Sequence, residues 1–181
     1  MAWRNDEVRY GGVAMVLHWS MALVMLGLLA LGLWMVELPD GDPKWGWYGW
    51  HKSFGLLVLM LAVVRVLWRR RNVQPAMPAG LAAWERFAAH ATHTMLYLAM
   101  FVLPISGYVD SSAGGYHVAF FGLFELPLVI PKNEALLEAA VLVHQSVAYG
   151  LIGLLVLHVG AVLKHHFVLR DDVLRRMLPR R

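Results

Sequence analysis

The 181-residue chain contains no cysteine. Disulfides, thiolate zinc sites, iron–sulfur clusters and haem attached through thioethers are excluded, because each needs cysteine sulfur. Any metal must be held by nitrogen, oxygen or methionine sulfur. Charge is scarce as well: 15% of residues are Asp, Glu, Lys or Arg and 59% are hydrophobic, against about 25% and about 45–50% in a typical soluble domain. That balance excludes disorder and argues against a water-soluble globule. The length suits one unit, residues 1–181, rather than two.

What the chain has in place of charge is long apolar runs. No charged residue falls between Val13 and Val36, a stretch long enough to cross a hydrocarbon layer of about 30 Å at about 1.5 Å per residue. It is too long for the core of a signal peptide and lacks a cleavage pattern, so it reads as a retained span. Further runs at about 47–68, 87–108 and 136–163 predict three more helices. ELPDGDPK (Glu37 to Lys44) reads as a tight turn, and RRRNVQPAMPAG (Arg69 to Gly80) as a basic helix end followed by a proline-rich linker. The connection from Asp110 to Glu134 opens with DSSAGG and carries an apolar, aromatic middle too short and too broken by proline to span; it is expected to lie flat at the interface. The fold class is an all-α integral membrane four-helix bundle.

The bases are not spread evenly. Arg4 and Arg9 precede the first span, Arg65, Arg69, Arg70, Arg71 and Arg86 lie between the second and third, and Lys164, Arg170, Arg175, Arg176, Arg180 and Arg181 follow the fourth. Only Lys44, Lys52 and Lys132 fall on the other side, beside Glu37, Asp40, Asp42, Asp110, Glu125, Glu134 and Glu138. Lysine and arginine accumulate on the cytoplasmic side, so both termini are expected there. Topology accounts for the net charge of +4, and no nucleic-acid partner is called for.

Nine histidines remain to be explained. An imidazole in hydrocarbon is costly unless it faces the bundle interior and finds a partner. His144 and His158, fourteen residues apart on the fourth span, return to within about 40° of one face and stand about 21 Å apart along the axis. By depth, His18 on the first span is level with His158, and His51 at the start of the second is level with His144. Two imidazoles facing each other across a dry gap can hold a b-type haem without covalent attachment. With both axial positions filled, such an iron suits single-electron transfer. Two of them form an electron path through the bilayer. Gly27, Gly55, Gly150 and Gly153 are candidates for admitting the ring faces.

Haem propionates need cationic company near the membrane surface, and Arg65 at the inner end of span two and Lys52 at its outer end are suitably placed. His90 and His93 at the inner start of span three, with His165 and His166 after span four, are expected around the inner haem, where imidazole can exchange protons near neutral pH. His117, in the outer loop, reads as solvated surface. The ten methionines and eight tryptophans read as packing and interfacial belts rather than a copper site.

Taken in order, HW at His18, the histidine opening span two at His51, VVR ending at Arg65, AHATH at Ala89 to His93, LPISG at Leu103 to Gly107, His144 and His158, KHHF at Lys164 to Phe167 and the terminal LRRMLPRR resemble the bacterial cytochrome b561 family of small dihaem membrane cytochromes. The resemblance runs through nearly the whole chain and implies axial ligation by His18, His51, His144 and His158. It further implies an inner-membrane superoxide oxidase, which takes electrons from periplasmic superoxide and delivers them through both haems to ubiquinone near the cytoplasmic side. His165, with Arg65 and His90 as weaker candidates, would line the quinone end.

Two other functions fit the same sequence. The chain could be the cytochrome b subunit that anchors a dehydrogenase or hydrogenase and reduces quinone with its electrons. It could also be a histidine-lined proton or metal transporter without haem, although the four spans lack the carboxylates such carriers usually pair with histidine.

Overall fold

A computed structural model describes residues 2–78 and 80–179. Arg180 and Arg181, counted above among the cytoplasmic bases, lie outside the described residues. Four long helices dominate: α1 (Gly12–Met35), α2 (Asp42–Arg70), α3 (Ala83–Ala113) and α4 (Glu134–Leu163). All four are long and apolar enough to cross a membrane. Each apolar run falls in one helix, save for Val36, which caps the end of α1, and the helices extend beyond the runs at most ends.

Local chemistry sets those ends. Pro43 in the first turn of α2 uses a position whose N–H has no helical partner, so the helix starts inside the expected turn. The Glu85 carboxylate accepts the Ala82 N–H at 3.0 Å, and the Asn133 side chain accepts the Leu136 N–H at 3.0 Å, capping α3 and α4. At its far end α3 runs through Asp110, Ser111, Ser112 and Ala113, which the sequence reading assigned to the loop. These polar residues stay helical because the two serines are buried and bonded: Ser111 Oγ donates to Gly107 O at 2.9 Å, and Ser112 Oγ accepts the Ile130 N–H at 3.2 Å.

The aromatic connection is not simply a flat cap. It folds as an antiparallel hairpin, β1 (Val118–Phe120) with β2 (Phe124–Leu126), in which Phe120 faces Phe124. Its turn puts Phe121 and Gly122 in the left-handed region (φ 51° and 72°) and closes with Leu123 N–H on Phe120 O at 2.9 Å. Glycine adopts that conformation freely; phenylalanine does not. The cost is offset by anchoring to α2. Ser53 Oγ donates to Ala119 O at 2.9 Å and accepts the Phe121 N–H at 3.0 Å, while the Phe121 ring packs edge-on against Phe54.

The core is a thin seam of Met21, Met25, Val58, Ala62, Ala99, Met100 and Leu151 between the helices. Val16, Leu23, Leu26, Leu142, Val156 and Leu157 stay exposed. So much outward apolar surface is stable only against lipid. Close backbone packing joins α1 to α2, α2 to α3 and α3 to α4. Towards α1 and α2, α4 reaches mainly with side chains, and two of those are histidines.

The N-terminal segment and the C-terminal tail meet at one end of the bundle. Arg9 Nη2 donates to the carbonyls of Arg175 (2.6 Å) and Leu178 (3.0 Å), and Trp19 Nε1 donates to Met177 O at 2.8 Å. This terminal end and the hairpin end are the two poles of the molecule.

Candidate haem-binding histidine pairs

The structure brings His18 of α1 and His158 of α4 together near the terminal end, with ring centroids 6.2 Å apart. His51 of α2 and His144 of α4 meet near the hairpin end, also at 6.2 Å. A metal–imidazole nitrogen bond is about 2 Å, so two rings gripping one ion from opposite sides have centroids about 6 Å apart. Both pairs have that separation. Among the described residues no three His, Asp or Glu side chains converge as a site for a bare metal ion. The donor set fits haem, which supplies four equatorial nitrogens of its own and needs two axial donors.

The surroundings of each ring differ. The His144 Nδ1–H donates to Leu103 O at 2.9 Å and to Ser106 Oγ at 3.1 Å. A carbonyl can only accept, so the proton sits on Nδ1 and the Nε2 lone pair is left for a metal. Gly107 lies one residue on; a Cβ there would stand 3.3 Å from His144 Cε1. Pro104, lacking an N–H, loosens the helical bonding of this turn. LPISG is thus the cradle of one imidazole. Across from it, His51 packs on Gly32, where a Cβ would stand 3.2 Å from His51 Cε1, and its buried Nδ1 has no hydrogen-bond partner among the described residues.

At the terminal end Arg65 Nη2 donates to His18 Nδ1 at 3.1 Å, and Arg65 Nε donates to Tyr97 Oη at 3.1 Å. A guanidinium only donates, so in this arrangement His18 carries its proton on Nε2. Ligation through Nε2 requires the opposite tautomer and hence a turn of Arg65 away from Nδ1. His93 of α3, given no specific role from sequence, packs 5.4 Å from the His158 ring.

Lys52 follows His51 in sequence; its ammonium stands 5.7 Å from the centre of the Tyr116 ring and interacts electrostatically with Asp110. His90 is exposed on α3. The His165 Nδ1–H donates to Asp171 Oδ2 at 2.5 Å. The buried Nδ1 of His166 has no hydrogen-bond partner among the described residues, and its ring packs on Phe167. His117 faces Glu125 at 3.5 Å. The glycines named from sequence do not touch the histidines, since a Cβ at Gly27, Gly55, Gly150 or Gly153 would meet no atom within 4 Å; Gly32 and Gly107 are the close ones. Their signal was available, because each lies at the depth of the histidine it faces.

A bundle of four helices able to span a membrane, with paired interior imidazoles, is the arrangement expected of a b-type cytochrome, an electron-transfer protein. The chain belongs to the prokaryotic cytochrome b561 family, whose sequence pattern matches residues 9–180. It is 40% identical to "Cytochrome b561 homolog 2" of Escherichia coli (strain K12) over 182 residues, covering 98% of this chain and 95% of that protein. Identity to "Cytochrome b561 homolog 1" of the same organism is 29% over 180 residues (96% and 98% covered). Identity to "Probable superoxide oxidase CybB" of Yersinia pestis is 31% over 180 residues (96% and 97% covered). The family implies haem b and oxidoreductase-type electron transfer in a bacterial membrane.

Proposed function

We propose that the chain holds two haem b groups, one between His18 and His158 and one between His51 and His144. It passes single electrons from a periplasmic donor at the hairpin end to ubiquinone at the terminal end, which faces the cytoplasm across the inner membrane. The observation that carries this reading is the recurrence of one 6.2 Å histidine spacing at both poles of a bundle. Haem, when bound, supplies reversible one-electron carriage; the protein's part is to grip, separate and tune it. Leu103 and Ser106 fix the tautomer of His144, Gly32 and Gly107 make room for the rings, and Arg65 and Lys52 offer charge to propionates.

Superoxide is the donor that best fits. Lys52 follows His51 in sequence and acts on it electrostatically, which places a cation beside the hairpin-end pair. The likeness to a relative named a probable superoxide oxidase supports the same donor. The test is direct: purified, haem-loaded protein should be reduced by a superoxide source and reoxidised on addition of ubiquinone. No reduction of the haem spectrum by superoxide would defeat the donor assignment.

A second reading, an anchor for a periplasmic dehydrogenase or hydrogenase subunit, draws on the exposed Leu123 and Phe124 at the hairpin tip. It requires a stable soluble partner. Full activity of the isolated chain counts against it.

A further inference from the structure

Beyond α4 the helix widens into a π turn, Lys164–Leu169, and ends on Arg170 in the left-handed conformation (φ 54°). π turns recur at functional sites because the extra residue per turn re-aims side chains. Here the reversal at Arg170 folds Asp171 back: its N–H donates to His165 O at 3.2 Å and its carboxylate Oδ2 accepts from His165 Nδ1 at 2.5 Å. The other oxygen, Oδ1, accepts the Val173 N–H at 3.1 Å, so the carboxylate is held from two sides. Both side chains are mostly shielded, at 17% and 23% exposure.

Two neighbouring carboxylates are engaged by bases. Glu85, reaching from α3 into electrostatic range of His165, is bound by Lys164 at 3.0 Å. Asp172 is bound by Arg176 at 2.8 Å. His166 adjoins on the same turn. Asp171 is therefore the carboxylate in direct contact with the His165 ring, on the nitrogen that leaves Nε2 free.

We infer that Asp171 is a positioning residue for quinone reduction: it fixes the His165 ring with Nε2 turned away from the carboxylate and stabilises the imidazolium that delivers protons to the quinone oxygens. The inference rests on ubiquinone being the acceptor at this end. Each ubiquinone takes up two electrons, supplied one at a time by the chain's electron transfer, and two protons. In each proton step the Nε2–H bond of His165 breaks and an O–H bond forms on the quinone. The imidazole left behind keeps its Nδ1–H against Asp171, and cytoplasmic water restores the proton on Nε2. A carboxylate that orients an imidazole and offsets its positive charge serves the same purpose in other acid–base sites.

The experiment mixes pre-reduced, haem-loaded protein with a short-chain ubiquinone and follows haem reoxidation across pH, for the wild type, Asp171→Asn and Asp171→Glu. Asparagine keeps the shape and an acceptor but loses the charge. The D171N rate should fall about ten- to a hundredfold at alkaline pH and recover as the medium supplies protons at acid pH. D171E should restore most of the wild-type profile. Independently of turnover, the low-field imidazole N–H resonance of His165 should be present in wild type and absent in Asp171→Ala. A wild type that ubiquinone does not reoxidise defeats the acceptor reading and this inference with it. A wild type that turns over, with D171N showing the same pH profile or the resonance persisting in D171A, overturns this inference alone.

Discussion

The carbonyl of Leu103 accepts the Nδ1–H of His144 at 2.9 Å, and Ser106 Oγ, itself donating to the same carbonyl at 3.0 Å, stands 3.1 Å from that nitrogen. One turn of α3 therefore decides which nitrogen of a histidine on α4 is left for a metal. Such a bond also strengthens the ring as an electron donor, which favours the oxidised metal.

Removing Ser106 should weaken that support without abolishing it, because the Leu103 carbonyl remains. Ser106→Ala is expected to cost about 1 kcal/mol of preference for the ferric state, a rise of roughly 40 mV in the hairpin-end haem. Potentiometric titration of the two haems checks it. The terminal-end haem should not move.

Gly107 offers a steric counterpart. A methyl group there would stand 3.3 Å from His144 Cε1, so Gly107→Ala must push the ring off its rotamer at a cost of about 1 kcal/mol, lowering haem affinity roughly fivefold. Gly27→Ala meets no atom within 4 Å and should leave both haems bound. Haem content measured at limiting haem distinguishes the two.

At the terminal end, three imidazoles crowd together, and spacing separates their roles. His18 and His158 stand at a distance that admits an ion between them, while His93 at 5.4 Å from His158 is closer than two rings sharing one metal. His158→Ala should lose one haem of two, and His93→Ala should keep both. Quantified haem per chain reads the difference.

The C-terminal tail carries a pH-sensitive link. Hydrogen bonding to Arg176 is the main cause that holds the Asp172 carboxyl below its ordinary value of 3.8. A depressed carboxylate stabilises the folded tail above that ordinary value and loses its effect as pH falls through the lower one. Asp172 is half-exposed, so the effect is modest. At neutral pH, Asp172→Asn should speed amide exchange across residues 172–178 about two- to fivefold, and the difference should shrink as the pH falls below the carboxyl's ordinary value.

The spans were legible because uncharged runs have few alternatives, and the histidine pairing because helical rise converts sequence position into depth. The end of α3 was not. Asp110, Ser111 and Ser112 have loop-like composition, and only burial against the returning chain keeps them helical. The hairpin is not legible either, because its turn needs Phe121 at positive φ, held by Ser53 some seventy residues away in sequence. Nothing in KHHFVLRDD announces a π turn, and without it Asp171 cannot be brought to His165. LPISG was visible as a motif; its meaning as a cradle for His144 needed the facing helix.

The most direct measurement is a reduced-minus-oxidised spectrum of the purified chain with haem quantified per polypeptide. The expected result is a b-type spectrum with two haems per chain. A protein purified from haem-replete cells that shows no Soret band would contradict it.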